Sequence, residues 1–470
     1  GLFLNTNLKD NFSLVENKIY PKNLNKIIIG LNNNKLLLQF MKVCPIPNYY
    51  FEKNFIKIRN EILNEIYNLN FKKIYLKFLI SLSAQCFLNE YIYTETNAEI
   101  NKINQIDKRI KNNLQNNKNI DDLEILIISC YFPLSNFDWI KDINPSTNLL
   151  NTFKLQYYDY NVQKKQILKI SSISKINDNI SIKVKEQYEE NPYPRWINLG
   201  LSIKPREFRD VIKDMDLKTD SKKINSSKNC EILIAGCGTG QHAITTASKY
   251  KNSNVLALDL SYNSLTYARR KAYELGCRNI NFVQGDLLDL RKLNKKFDLI
   301  ESVGVLHHMS DPFQGWKTLV DCMRNNSLML IGLYSEKARN NITDIREKIN
   351  KLNIKTTKEE IKKFRKNIFE NKNSQWNSVM YSPDFYTTSG VRDLLFHVQE
   401  HTFTIPKIKE YINELGLTFL GFDDNYVIER FKEFNNNTND LYNLDKWQEY
   451  EGKNPRIFSG MYQFWCQKNT

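Results

Sequence analysis

The chain has 470 residues, a formal net charge of +15 and 41% hydrophobic residues, enough apolar material for more than one core. Such a charge points first to nucleic acid or an anionic surface, yet it is diluted through Asn-, Lys- and Ile-rich stretches such as KNNLQNNKN (111–119) with no Arg-rich arm, so nucleic-acid binding is not the expected role. Eight scattered cysteines without a Cys-x-x-Cys pair exclude a zinc ribbon and fit reduced thiols, and the best apolar run, 74–88, carries Lys77 and is too short to span a membrane; the expected location is cytoplasmic, with no membrane partner.

The chain begins at Gly1 without Met, which is expected of a fragment or a processed product. Residues 36–170 read as helices. Within 55–69, FIKIRNEILNEIYNL, the positions Ile56, Ile58, Ile62, Ile66 and Leu69 recur at near-helical spacing. Residues 71–98 stay apolar and aromatic, and 121–129 open with two acids before a run of aliphatics. No clean 34-residue period appears, so any repeats are expected to be degenerate or to lie upstream. Residues 177–185 read as a polar bridge with short strands. The span EQYEENPYPRW (186–196) follows; its two prolines and three aromatics exclude a regular helix and stiffen an extended turn.

Residues 232–241, ILIAGCGTGQ, fit a buried parallel strand running into a glycine turn and then a helix whose first N–H groups face the turn. The spacing is Gly-x-Gly-x-Gly; a dinucleotide fingerprint places its third glycine one residue later. Strands are expected at 254–260 (NVLALDL), 281–286 (NFVQGD), 297–306 (FDLIESVGVL) and 328–334 (LMLIGLY), with helix-sized pieces between them. The alternation implies a doubly wound α/β sheet with its ligand at the carboxyl ends of the strands. Asp259 and Asp286 close two of these strands. Each is placed either to meet a ligand or to cap the next helix. A helix over 406–415, a sixth strand at 418–421 and a last one at 461–467 complete the sheet, the last expected to be antiparallel.

This turn with its sequel resembles motif I of class I S-adenosyl-L-methionine (SAM) methyltransferases. The SAQCFLNEY stretch (83–91), Trp447 and NPRIFSGMYQFW (454–465) are similar to tetratricopeptide-repeat-linked methyltransferases of bacteria. The likeness runs from about residue 183 to the end and less fully back to Phe51. It implies a class I seven-stranded sheet over 176–470 with a helical insertion at about 337–400, preceded by an all-α domain over 1–175. It implies SAM as cofactor, held by Gly236, Gly238, Gly240, Asp259, Leu260, Asp286, Leu287 and Val303, with Tyr188, Tyr193 and Arg195 as a lid. His307 stands where a general base of ordinary histidine pKa would serve an acceptor that must lose a proton. His308, Tyr386, Arg392, His397 and His401 would line the acceptor pocket. The GVLHHMSDP loop favours a small-molecule acceptor; the alternative is a protein or peptide presented by the helical domain. One residue departs from the pattern. Many members place an acid two positions before the first glycine to hold the cofactor's amino group, and this chain has Ile234.

Other readings remain. His397, Glu400 and His401 spell His-x-x-Glu-His, a zinc-peptidase pattern when helical, but residues 402–406 (TFTIP) end any helix at once, so no metal is assigned. NPYP (191–194) is not the Asn-Pro-Pro-Tyr motif of base and glutamine methyltransferases, because its order differs. A nicotinamide oxidoreductase fits the glycine spacing poorly, and a noncatalytic scaffold is kept open by Ile234.

Overall fold

The computed structural model describes residues 21–68, 73–202, 204–219, 229–371, 375–435 and 437–469; Leu69 and Phe71 lie outside them. The chain divides into two compact units. One comprises Gly1–Lys164, Arg195–Asn198 and Ile349–Phe396, the other Lys165–Pro194, Leu199–Lys348 and His397–Thr470.

The first unit is helical: α1 (Pro21–Asn33), α2 (Lys35–Val43), α3 (Tyr49–Glu65), α4 (Lys73–Leu88), α5 (Asn97–Gln115) and α6 (Asp122–Ser129). Side chains stop and start these helices as the sequence suggests. Thr96 and Glu99 form a capping box on α5, and Asp121 accepts the Leu123 N–H at the start of α6. Phe55, Ile58 and Ile62 of α3 are buried with Phe78, Leu79 and Leu82 of α4. Two arginines are buried here. Arg59 lies 3.9 Å over the Tyr131 ring and donates to the Thr94 and Cys130 carbonyls. Arg365, from the helix Lys358–Glu370, donates to both carboxylate oxygens of Glu52 at 3.2 and 2.9 Å.

The second unit is built on an eight-stranded sheet in the order β1-β4-β3-β2-β5-β6-β8-β7. Its strands are β1 (Ser171–Ser172), β2 (Cys230–Ala235), β3 (Ser253–Asp259), β4 (Ile280–Gln284), β5 (Phe297–Val303), β6 (Met323–Leu333), β7 (Leu417–Phe422) and β8 (Tyr462–Lys468). Pairing is parallel except that β8 is antiparallel to both β6 and β7. The seven expected strands are present, and the two-residue β1 beside β4 is an addition that no sequence period announced. The order reverses between β2 and β5, so a crevice opens at their carboxyl ends. Leu233, Leu258, Ile300 and Met329 bury one sheet face with Trp316 and Phe464. Trp447 is fully buried, stacked on Phe431 at 3.8 Å, and its indole N–H donates to the Leu441 carbonyl.

One local expectation is corrected. Residues 177–185 do not form short strands: α7 runs Asn179–Glu190, capped by Asp178, which accepts the Ser181 N–H. The proline-rich span therefore begins as helix. Only from Asn191 does Pro192 force the backbone out of it, because the residue before a proline is held away from the helical region.

Candidate functional site at the carboxyl ends of β2, β3 and β5

The glycine turn joins β2 to α8 (Gln241–Lys249). Its three glycines have φ of +77°, +51° and +85°, conformations that side chains rarely adopt. Each is also close to a neighbour. A Cβ on Gly236 would meet Val305 Cγ2 at 2.3 Å, one on Gly238 the Tyr193 carbonyl at 3.0 Å, and one on Gly240 the Ala268 Cβ at 2.5 Å. Gly236 and Cys237 both donate to the Leu258 carbonyl at 2.8 Å, which pins the turn to the end of β3.

Asp259 ends β3 and faces the same turn. Its Oδ2 accepts the Gly238 N–H at 2.7 Å and its Oδ1 the Ser261 N–H at 2.9 Å. A carboxylate offers about four lone-pair sites, so capacity remains for a further donor. Burial, with the Glu189 charge adding to it, raises the Asp259 pKa to about 6, against the pull of the Ser261, Gly238 and Leu260 N–H groups. Leu260 follows, its carbonyl accepting from the Gln284 amide. Ser261 then caps α9 (Tyr262–Glu274) by accepting the Ser264 N–H.

Asp286 follows β4 and caps the short 3-10 helix Leu287–Leu293, its Oδ1 accepting the Leu288 N–H at 2.9 Å. It is 4% exposed, and burial raises its pKa although Leu288 and the Ser181 hydroxyl oppose this. Leu287 is buried beside it. Val303 ends β5 and packs against Gly332, where a Cβ would come within 2.6 Å of Val303 Cγ1.

The end of α7 and the chain after it cross this edge. Tyr188 accepts at its backbone carbonyl from the Ser261 hydroxyl, and the Thr239 hydroxyl donates to the Pro194 carbonyl at 2.6 Å. The segment therefore touches both the Asp259 corner and the glycine turn. Glu189 fastens it: its two oxygens accept the Tyr262 and Asn263 N–H groups at 2.7 and 3.0 Å, a carboxylate on the positive end of α9. Sequence reasoning missed Glu189, because its partners lie 73 and 74 residues downstream and no local pattern marks them. A cavity of about 800 Å³ runs along this helix, lined by Lys185, Glu189, Tyr262 and Gln284 among others.

Four of the five histidines gather past the end of β5. His307 lies 4.0 Å from the Tyr334 ring and 4.2 Å from His308; His308 stacks on His397 at 3.6 Å and 20°. The His401 N–H donates to the His307 carbonyl at 2.7 Å, and its ring Nε2 is 3.1 Å from the Met309 carbonyl. The ordinary pKa expected of His307 is not met. Burial, reinforced by His308 and Arg339, holds it well below the usual histidine value, and neither ring nitrogen has a hydrogen-bond partner among the described residues. His308 is pushed down to about 3, chiefly by burial, and His397 well below 6.5 by burial and by His308. The segment from His397 to His401 is not helical, and Glu400 is held by Arg339 at 2.7 Å and Arg346 at 3.4 Å. The peptidase geometry is therefore missing there.

The remaining expected site residues belong to the first unit. Arg195 Nε is 3.5 Å from Glu90, with its guanidinium 4.6 Å over Phe87. The Tyr386 hydroxyl donates to the Met380 carbonyl, and Arg392 sits in the helix Thr388–Phe396.

Against known proteins, residues 232–326 match the methyltransferase-domain family. An uncharacterized protein of Synechococcus sp. is 28% identical over 233 residues, 47% of this chain and 55% of that protein. The release factor glutamine methyltransferase of Flavobacterium psychrophilum is 34% identical over 109 residues, 23% of this chain and 37% of the enzyme. The chain thus spans about half or less of the length of these curated relatives. Among solved structures, PKMT2 from Rickettsia typhi in complex with AdoHcy overlaps 52% of this chain and 49% of its own, at 17% identity and a TM-score of 0.39. No described helix is long and apolar enough to cross a membrane. The glycine turn, the two strand-end aspartates and the β5 exit thus all fall within, or directly adjoin, a methyltransferase domain carried on a class I α/β sheet.

Proposed function

We propose that the second unit binds SAM across the carboxyl ends of β2, β3 and β4 and directs its methyl group to a small-molecule acceptor. The observation that carries this reading is the contact of Asp259 Oδ2 with the Gly238 N–H, which holds the carboxylate against a turn whose three glycines present no side chain to an approaching ligand. A ribose diol offers two donors to such a carboxylate. Gly236, Gly238 and Gly240 would admit the cofactor's backbone contacts. Leu260, Asp286 and Leu287 would frame its base, Val303 would lie beneath its sulfur end, and Tyr188 and Tyr193 would cover it. The cofactor supplies an activated methyl on a sulfonium, and the chain's part is alignment and exclusion of water.

Proton removal, where the acceptor needs it, we assign to His307. Burial keeps that imidazole unprotonated, so it is ready to accept a proton but is a weaker base than a solvated histidine. The proposed site is confined to the second unit. For the helical unit we propose a separate role in partner binding, in keeping with its resemblance to repeat-linked methyltransferases, and for the whole chain a cytoplasmic location.

A second reading is a protein acceptor. It is favoured by the 34% identity to a release factor glutamine methyltransferase. Against it, the β5 exit here reads GVLHHM, without the Asn-Pro-Pro-Tyr motif expected after that strand in glutamine methyltransferases. The test is a thermal-shift series with SAM, S-adenosylhomocysteine, NAD and zinc. A ligand at about a hundred times its Kd adds roughly 2.7 kcal/mol, a shift of several degrees. A shift with the two adenosyl ligands alone, lost in Asp259→Ala, is expected; a shift with NAD or zinc instead overturns the reading.

A further inference from the structure

The SAQCFLNEY stretch closes α4, and it brings one cysteine to another. The Ser129 hydroxyl donates to the Ser83 hydroxyl at 2.7 Å, which ties α4 to the end of α6. Gln156 fastens the same junction: its amide nitrogen donates to the Ser83 hydroxyl at 2.9 Å and to the Ser129 carbonyl at 3.2 Å. Cys86 follows Ser83 by about one helical turn and so lies on the same side of α4. Cys130 is the residue after Ser129 and caps α6. The junction therefore holds the two sulfurs together. The thiols are in hydrogen-bond contact, and the Cys130 thiol has the Leu79 carbonyl as a further acceptor at 4.0 Å. Both cysteines are fully buried and both are free thiols.

Arg59 makes the pair unequal. Its guanidinium donates to the Cys130 carbonyl at 3.2 Å and also reaches the Cys86 sulfur. Burial works against a Cys86 thiolate, yet the Cys130 thiol and Arg59 outweigh it and hold Cys86 below the ordinary cysteine value. Burial, with Cys86 beside it, pushes Cys130 well above that value. The six cysteines outside the pair are also pushed up, each chiefly by burial. Cys86 is thus set apart by its neighbours and not by its exposure.

We propose that Cys86 and Cys130 are a modification site of the helical unit, closing to a reversible disulfide between α4 and the end of α6 when the protein meets hydrogen peroxide. The Cys86 thiolate attacks one peroxide oxygen and the O–O bond breaks. The leaving hydroxide takes the Cys130 proton, giving water and a Cys86 sulfenic acid. The Cys130 thiolate then attacks the Cys86 sulfur; the S–S bond forms, the S–O bond breaks, and the second hydroxide leaves as water with the proton that Cys86 first released. Two thiols lose two electrons in all, and one peroxide is reduced to two waters. Burial selects the oxidant. Hydrogen peroxide is little larger than water and reaches the pair through local opening of the helices, whereas a bulky disulfide such as oxidised glutathione does not. The same burial makes the reaction slow, because opening precedes it.

The test is peptide mapping of the full wild-type chain, treated while folded with hydrogen peroxide, then denatured in an alkylating agent and digested without reductant. The expected result is a linked pair of peptides carrying Cys86 and Cys130, separated by dithiothreitol, and no such pair after oxidised glutathione for the same time. Hydrogen exchange of α4 and α6 should slow severalfold on oxidation, since the link closes the loop that carries α5. Cys130→Ala should leave a sulfenic acid on Cys86 that dimedone traps, while Cys86→Ala should leave Cys130 unlabelled. The mapping needs only the wild type, so the outcome does not depend on a variant folding. Both thiols still alkylated, Cys86 oxidised without the link, a link to another cysteine instead, or a link that forms only in urea overturns the inference. It does not rest on the SAM site: S-adenosylhomocysteine binding can fail and the link still form.

Discussion

Replacing Gly236 by alanine tests the geometry of the turn most directly, because two separate penalties meet there. An L-residue held at φ +77° costs roughly 1–2 kcal/mol. The new Cβ would also stand 2.3 and 2.8 Å from the two Val305 methyls, and overpacking of this kind costs about 1–3 kcal/mol. Together they amount to about 2–5 kcal/mol. The steric share is removable: in Gly236→Ala/Val305→Ala only the 3.1 Å contact with Val305 Cβ remains, which a shift of a few tenths of an ångström relieves. Val305→Ala alone loses two half-buried methyls, about 1 kcal/mol. Hydrogen exchange of peptides covering β2 and α8 reads the local opening free energy without requiring the two units to unfold together. Gly236→Ala should speed that exchange by more than about thirtyfold. The double variant should recover about 1–3 kcal/mol relative to the sum of the singles. Strict additivity would show that Val305 does not limit the turn and would refute the reasoning.

For Asp259, the pKa raised to about 6 means that the unliganded fold gains stability as the group protonates; this contribution is complete below the ordinary value of 3.8 and is lost as pH rises through 6. Ribose donors favour the charged form, so affinity for S-adenosylhomocysteine should rise between about pH 4 and 6 and level off above 7, and Asp259→Asn should bind weakly with no such slope in calorimetry. His242 and Glu301 form a pair at 2.9 Å under the same turn. Burial works against the His242 proton, but Glu301 outweighs it and raises the pKa above 6.5, so this stability is present below 6.5 and lost as pH rises through the folded value. Burial likewise opposes the Glu301 charge, yet His242 lowers its pKa below 4.5, so that contribution is present above 4.5 and lost as pH falls through the folded value. Melting midpoints should therefore peak between those limits, and Glu301→Gln should flatten the profile. In the first unit, Arg365→Met strands the buried Glu52 carboxylate and should cost about 3–5 kcal/mol. Arg365→Met/Glu52→Gln should cost less in denaturant unfolding, since no unpaired charge remains.

The sheet was legible because parallel strands buried on both faces are apolar runs and their glycine and aspartate ends are punctuation. ILIAGCGTGQ, NVLALDL and NFVQGD each became the strand expected of them. What could not be read is contact between distant segments. The α7 helix was misjudged because the prolines at 192 and 194 dominated a window whose first half is ordinary helix. His307 was given an ordinary pKa because burial is a property of the packed state, and nothing in VLHHM states that Tyr334 will cover the ring.

Ile234 shows the same limit from the other side. Read along the chain, it is an apolar residue where an acid was expected, and nothing nearby replaces the charge. The β2–β5 register pairs it with Glu301, so on neighbouring parallel strands the two side chains share a face. A carboxylate is therefore present at that level of the sheet, one strand across. Its Oε2 accepts from Thr246 at 2.6 Å and pairs with His242, both on α8, the helix that the glycine turn feeds. A buried acid that binds two side chains of α8 fixes where that helix begins, and with it the direction of the N–H groups facing the crevice. Ile234 alone thus does not mark a degenerate pocket: support for the turn comes from a residue 67 positions later, through pairing that no local reading of the sequence contains.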